Sequence, residues 1–197
     1  WKFKLVLQQA MGGRIGVPRV FPEAPSGMRH DSRLGANDYL QLVAATNYKQ
    51  RIRKTIEYYH ADRLNFAVTG TPNRLEYELG FFVKNGDGAA DVKPIAHLYK
   101  TQVYAMARHL GLPAAITTTT PTTDTFSLTQ GQDEFYFGLH YAEMDVALWH
   151  FTSGAPASQL AAALGCAVND AEAIYAGIAA KRRVAEYLHA PAERLPA

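Results

Sequence analysis

Branched and aromatic side chains crowd the start of the chain, and Lys2 to Gln8 reads as a β-strand. From Met11 to Leu34 neither a helical nor an alternating period holds, and glycine and proline interrupt the stretch, which predicts a mobile connection. Beyond it Leu40, Val43, Ala44, Ile52, Ile56 and Tyr59 recur at helical spacing, so one amphipathic helix is expected from a cap at Asn37 to about His60. Asn65 to Thr69 is a short strand-like run closed by Gly70, and a helix-like segment from Asn73 to Gly80 follows. Strand, turn and helix in that order predict a parallel α/β unit.

The glycines of Phe81 to Asp91 (FFVKNGDGAAD) predict a loop, the kind of segment on which sites are often carried. Leu98 to Leu110 has the period of a second amphipathic helix, stopped by Gly111 and Pro113, and Thr117 to Thr125 is a threonine-rich loop broken by Pro121. The remainder reads as all-helical: Tyr141 to Phe151, Ala157 to Leu164, and Asp170 to Leu188 behind a cap at Asn169.

Composition narrows the partners. Hydrophobic residues at 48% and charged residues at 19% are ordinary for a globular protein, and no apolar run is long enough to span a bilayer. A net charge of +2 with scattered basic residues gives no phosphate-tracking patch, so no nucleic acid is expected. The single cysteine, Cys166, forms neither an intrachain disulfide nor a metal cluster, which fits a reducing cytoplasm. The chain opens on Trp1 rather than methionine, already within a strand-like run, so further sequence upstream is expected.

Individually the chemical signals are modest. Gly70-Thr71-Pro72-Asn73 lies between a strand and a helix, where backbone N–H groups favour an anion, but Asn73 is equally a simple helix cap. Glu76 is a candidate oxygen ligand for a hard cation or a solvated helical charge. Lys100 opens a helix against its macrodipole, which suggests an anionic ligand nearby. Pro121-Thr122-Thr123-Asp124 offers hydroxyls beside a carboxylate, for a ribose, a phosphate or only a turn. The histidines lack metal-ligand spacing, and Phe135, Tyr136 and Phe137 read as core or subunit interface.

Taken together and in order, NYKQRIR (47–53), GTPNRLE (70–76), FFVKNGDGAAD (81–91), PIAHLYKTQV (94–103) and PTTD (121–124) closely resemble the NAD synthetase family. The resemblance implies an adenine-nucleotide α-hydrolase-like α/β fold: a parallel sheet with flanking helices, N-terminally truncated, in which residues 1–150 form a partial synthetase domain and 151–197 its helical extension. It implies that Thr71, Lys100 and Thr122 contact ATP, that Glu76 binds Mg²⁺, and that Arg51, Lys84 and Asp91 hold deamido-NAD. Lys181 is a further dinucleotide candidate, preceded here by Ala180 where some members carry histidine. The implied reaction adenylates deamido-NAD and then amidates it with ammonia, free or supplied by a glutaminase, in a cytoplasmic homodimer. The family's S-G-G-x-D-S phosphate loop is absent from these residues, and the similar Ser26 to Ser32 is read as a decoy, since it has one residue too many, lies in a proline-rich stretch rather than after an expected strand, and sits too close to Arg51. The chain alone is therefore expected to be inactive. Two alternatives stand beside this reading: another ATP-pyrophosphatase-type amidotransferase, and a non-catalytic nucleotide-binding or dimerisation module.

Overall fold

The computed structural model describes residues 1–10, 14–123 and 126–195. The expected first strand is present as β1 (Lys2–Ala10), but the stretch read as a mobile connection is largely ordered. Apart from Met11, Gly12 and Gly13, which lie outside the described residues, it supplies β2 (Arg14–Glu23) and β3 (Ser32–Arg33), antiparallel neighbours in the order β1-β2-β3. Pro18 and Pro22 broke the alternation in the sequence. Proline withholds only its donor, however, and the carbonyls of Pro18 and Pro22 still accept from the backbone N–H groups of Leu34 (3.1 Å) and His30 (3.0 Å). A bidentate pair between Arg19 and Asp31 fastens the return segment to β2.

The expected parallel sheet is not formed. Every strand pairing among the described residues is antiparallel, and parallel pairing is confined to one bridge, Thr69 with Val92. The run before it is cut short by Asn65, whose left-handed conformation (φ 55°) terminates the preceding helix, and by the turn at Gly70. Glycine is required at 70, because a Cβ there would stand 2.7 Å from that of Ala90.

Helices occupy most of the rest. α1 (Ala36–Leu64) starts one residue before the expected cap and extends four beyond His60; Lys54 and Ala61 are its buried residues. α2 (Arg74–Leu79) is capped as the sequence suggests, by Asn73 at its start and Gly80 (φ 76°) at its end. α3 (Lys100–His109) and the short α4 (Ala114–Thr117) precede a π-helical turn at Asp133–Phe137. α5 (Tyr141–Thr152), α6 (Ala157–Leu164) and α7 (Val168–His189) form the helical tail. Leu75 and Leu79 of α2, Leu148 of α5, Leu160 of α6 and Ile178 of α7 are almost fully buried in one cluster, so the apolar core runs across residue 150. Phe137 and Tyr136 pack in or against this core, the first of the two alternatives that the sequence left for them. No described helix is long and apolar enough to cross a membrane.

Candidate functional site

The loop after Gly70, the start of α3, the threonine loop and one face of α1 converge on a cavity of about 540 Å³. That volume lies within the range of small-molecule sites. Thr71, Glu76, Lys100 and Thr122 all line it, although they come from three separate blocks of the sequence. Polar groups of α1 (Asn47 and Gln50) and aromatic rings of Phe81, Phe135 and Tyr136 complete much of the wall. Asp124, the carboxylate end of the PTTD block, lies outside the described residues.

Glu76 is held from three directions. Its Oε2 accepts the Asn73 backbone N–H (2.9 Å) while Asn73 Oδ1 accepts the Glu76 N–H (3.2 Å), a reciprocal capping box. Its Oε1 accepts from the Gln132 amide (3.2 Å) and lies 3.8 Å from Lys100 Nζ. The Arg74 N–H is likewise engaged, donating to the Leu98 carbonyl (2.8 Å). The Asn73 and Glu76 amides therefore serve the α2 cap and that of Arg74 serves Leu98, so the arrangement seen at this turn is that of a helix cap. What faces the cavity is a carboxylate and an ammonium side by side, with side chains only 14% and 18% exposed.

Lys100 sits against the α3 dipole because another residue compensates it. Asp145, on α5 and nearly buried, accepts the backbone N–H groups of Lys100 (3.2 Å) and Thr101 (2.7 Å). Burial pushes its carboxyl above the usual range, and those two N–H bonds and the Lys100 charge oppose the rise. Neither Asp145 nor Gln132 was identified from sequence. The one available signal is a carboxylate at 145 on the apolar face of a helix, next to Met144 and near Ala147 and Leu148. Thr123 was noted only as part of its block, yet it is a lining residue of the cavity, and its fully buried Oγ1 has no hydrogen-bond partner among the described residues.

The expected dinucleotide residues are not lining residues of this cavity. Arg51 Nε donates to the Lys84 carbonyl (3.2 Å), joining α1 to the glycine loop. Lys84 Nζ donates to the carbonyls of Tyr187 (2.9 Å) and Ala190 (2.8 Å) and lies over the Tyr187 ring, so it closes the C-terminal end of α7. Asp91 accepts the Val68 N–H (2.7 Å) and approaches the Tyr58 hydroxyl at 3.5 Å. Lys181 stands behind the cavity wall, its Nζ 5.5 Å from the Tyr136 ring centre, and burial lowers its pKa. Tyr136 donates to the Leu79 carbonyl (2.7 Å), and burial pushes its hydroxyl up to about 12, so it remains a donor. His97 faces a separate hollow with Arg74, Tyr77 and Lys93.

Among the described residues, no three His, Cys, Asp or Glu side chains come together as a metal site. Glu76 can supply one carboxylate oxygen. That fits Mg²⁺, which is commonly held by one or two carboxylates together with substrate phosphates.

The family model for NAD synthase matches residues 26–184. The NH(3)-dependent NAD(+) synthetase of Rhizobium meliloti (strain 1021) is 54% identical over 190 residues, 96% of this chain and 57% of the relative. That of Mesorhizobium japonicum is 52% identical over 191 residues, 96% of this chain and 60% of the relative. The chain thus spans less than two thirds of the length of these curated relatives. Among solved structures, NMN synthetase from Francisella tularensis is 27% identical with a TM-score of 0.61, over 78% of this chain and 57% of that one.

Proposed function

The chain belongs to the NAD synthase family, and on that premise we propose that it carries the nucleotide-handling part of an ammonia-dependent synthetase that converts deamido-NAD to NAD. The observation that carries this reading is the convergence of Thr71, Glu76, Lys100 and Thr122 on one cavity. The relatives are named for ammonia, which favours ammonia over a glutaminase as the nitrogen donor.

In the proposed reaction a carboxylate oxygen of deamido-NAD attacks the α-phosphorus of ATP, and pyrophosphate leaves. Ammonia then attacks the acyl carbon, AMP departs with the bonding pair, and the nitrogen sheds a proton to give the amide. Lys100 offers a fixed cation toward developing phosphate charge, and the Thr71 and Thr122 hydroxyls can donate to phosphate or ribose oxygens. Bound Mg²⁺ would neutralise charge on the departing pyrophosphate, with Glu76 as its protein oxygen ligand. Arg51, Lys84 and Asp91 form a second group beside the glycine loop, which we assign to deamido-NAD. Occupying that site requires Lys84 to exchange its carbonyl partners at the end of α7 for the ligand. Lys181 joins this group only if the wall at Tyr136 opens. We treat residues 151–197 as an extension of the same domain.

Calorimetric titration of the chain with Mg-ATP tests the cavity. Lys100→Ala should weaken binding about tenfold, the scale of one charge-assisted contact, and Glu76→Gln should raise the Mg²⁺ concentration needed for binding. For turnover, the 197 residues lack an S-G-G-x-D-S loop, so the chain alone should release little AMP. The same residues extended upstream by such a loop should produce AMP and pyrophosphate. Formation of ADP and phosphate would defeat the adenylation chemistry.

A further inference from the structure

The N-terminal hairpin is unexplained by the reaction. β1 and β2 both precede residue 26, where the family match begins, yet the Rhizobium and Mesorhizobium relatives align over 96% of the chain. This hairpin docks on the segment that completes one wall of the cavity. The Phe3 N–H donates to Ser127 Oγ (2.8 Å), the Leu128 N–H donates to the Phe3 carbonyl (3.0 Å), and the Phe3 and Phe126 rings lie 5.5 Å apart. Deeper in, Gln130 Nε2 donates to the Leu5 carbonyl (2.6 Å), and Gln130 is 1% exposed. The backbone carbonyl of the same residue accepts the Thr123 N–H (2.9 Å), beside an antiparallel bridge between Thr122 and Gly131. Gln132 then reaches Glu76. A continuous set of contacts therefore runs from β1 through Gln130 to Thr122, Thr123 and Glu76.

We infer that Gln130 is a positioning residue: clamped by β1, it holds Thr122 and Thr123 in the cavity wall, so that the hairpin braces the ATP-facing side. Two features favour this over packing alone. A buried amide bonded to a strand carbonyl fixes orientation in a way an apolar side chain of the same size does not. Second, the backbone that Gln130 fixes is the backbone that carries the wall, since Thr123 bonds to its carbonyl and the cavity-lining Thr122 pairs with Gly131. The contacts belong to the wall itself and stand without any ligand; the assignment of that wall to ATP rests on the function proposed above. Holding donors in place before binding lowers the ordering cost that a ligand otherwise meets.

The full 197-residue chain, Gln130→Leu and Ser127→Ala are to be compared by amide hydrogen exchange and by separate titrations with Mg-ATP and deamido-NAD. Gln130→Leu keeps the volume and removes the clamp, while Ser127→Ala is an exposed change that loosens only the outer contact. Exchange at the Thr123 and Leu128 amides should rise about tenfold in Gln130→Leu and less in Ser127→Ala, with α5 and α7 unchanged. Affinity for Mg-ATP should fall about fivefold while that for deamido-NAD holds, the split expected of lost preorganisation on one wall. Unchanged exchange at Thr123 in both variants overturns the inference, as does a uniform rise that includes α5 and α7. If the unaltered chain takes up no Mg-ATP, the nucleotide reading falls, and the exchange measurement alone decides whether Gln130 braces the wall.

Discussion

At the scale of single residues, the ordered blocks picked out side chains that lie far apart in the chain and come together in the fold. Thr71, Glu76, Lys100 and Thr122 were named from ordered blocks and meet at one cavity. Their supports were not legible. Gln132 reaches Glu76 across 56 positions and Asp145 reaches Lys100 across 45, separations that carry no periodic signal. Asp145 also sets a test by pH. Burial lifts its carboxyl above the ordinary 3.8, so the folded state keeps the proton to higher pH than the unfolded state. The stability it contributes is full below 3.8 and is lost as pH rises through the raised folded value. Asp145→Asn removes that dependence, and at neutral pH it also sets an amide NH₂ against a backbone donor, at a cost of about 1–3 kcal/mol. Urea unfolding of both proteins from pH 4 upward should show their difference changing through this window and then levelling; a constant difference would remove Asp145 from the account.

At the scale of elements, most helices were readable because one face repeats at 3.6 residues and glycine, asparagine or proline marks the ends, whereas the positions read as one face of α1 divide, Val43 toward the cavity and Ile52, Ile56 and Tyr59 toward solvent. The hairpin was not readable, since two prolines in β2 erase the alternation while leaving the acceptors that the sheet uses. The parallel strand at Asn65 to Thr69 was over-read: five residues bounded by a left-handed asparagine and a glycine turn leave room for a single bridge. Equally hidden was the fastening of α2 to α7. Glu78 accepts from Arg74 Nε (2.5 Å) and pairs with Arg182, which also donates to Thr152 Oγ1 (3.0 Å). These side chains are about a quarter exposed, so solvent moderates the attraction. Glu78→Ala leaves two guanidinium groups facing each other at the junction. A loss of about 1–2 kcal/mol is expected, larger than for an exposed pair. Chemical denaturation of Glu78→Ala, Arg182→Ala and the double variant should give a coupling between the two sites; additive losses would show that the pair does not dock the helices.

At the scale of the molecule, α1 is the least supported element. A helix of 29 residues needs tertiary contacts to persist, yet Lys54 and Ala61 are its buried residues. Tyr48, Ile52, Ile56 and Tyr59 recur at intervals of four, four and three, which places them on one face, and they are between 41% and 67% exposed. The opposite side brings Val43, Asn47 and Gln50 to the cavity, and Arg51 holds the glycine loop. Covering the apolar stripe would therefore stiffen the same helix that forms one wall of the site. A second copy of the chain is the occupant proposed here, because an isologous pairing lets the stripe of one α1 meet that of the other across a two-fold axis. The prediction is a dimer by light scattering at tens of micromolar, converted to monomer by Ile56→Lys, which buries a charge at the centre of the contact. The monomeric variant should bind Mg-ATP more weakly, since α1 loses its support, while its α5 to α7 core stays protected from amide exchange. A monomer in the unaltered chain at that concentration, or an Ile56→Lys protein that remains dimeric, would defeat this assignment of the α1 face.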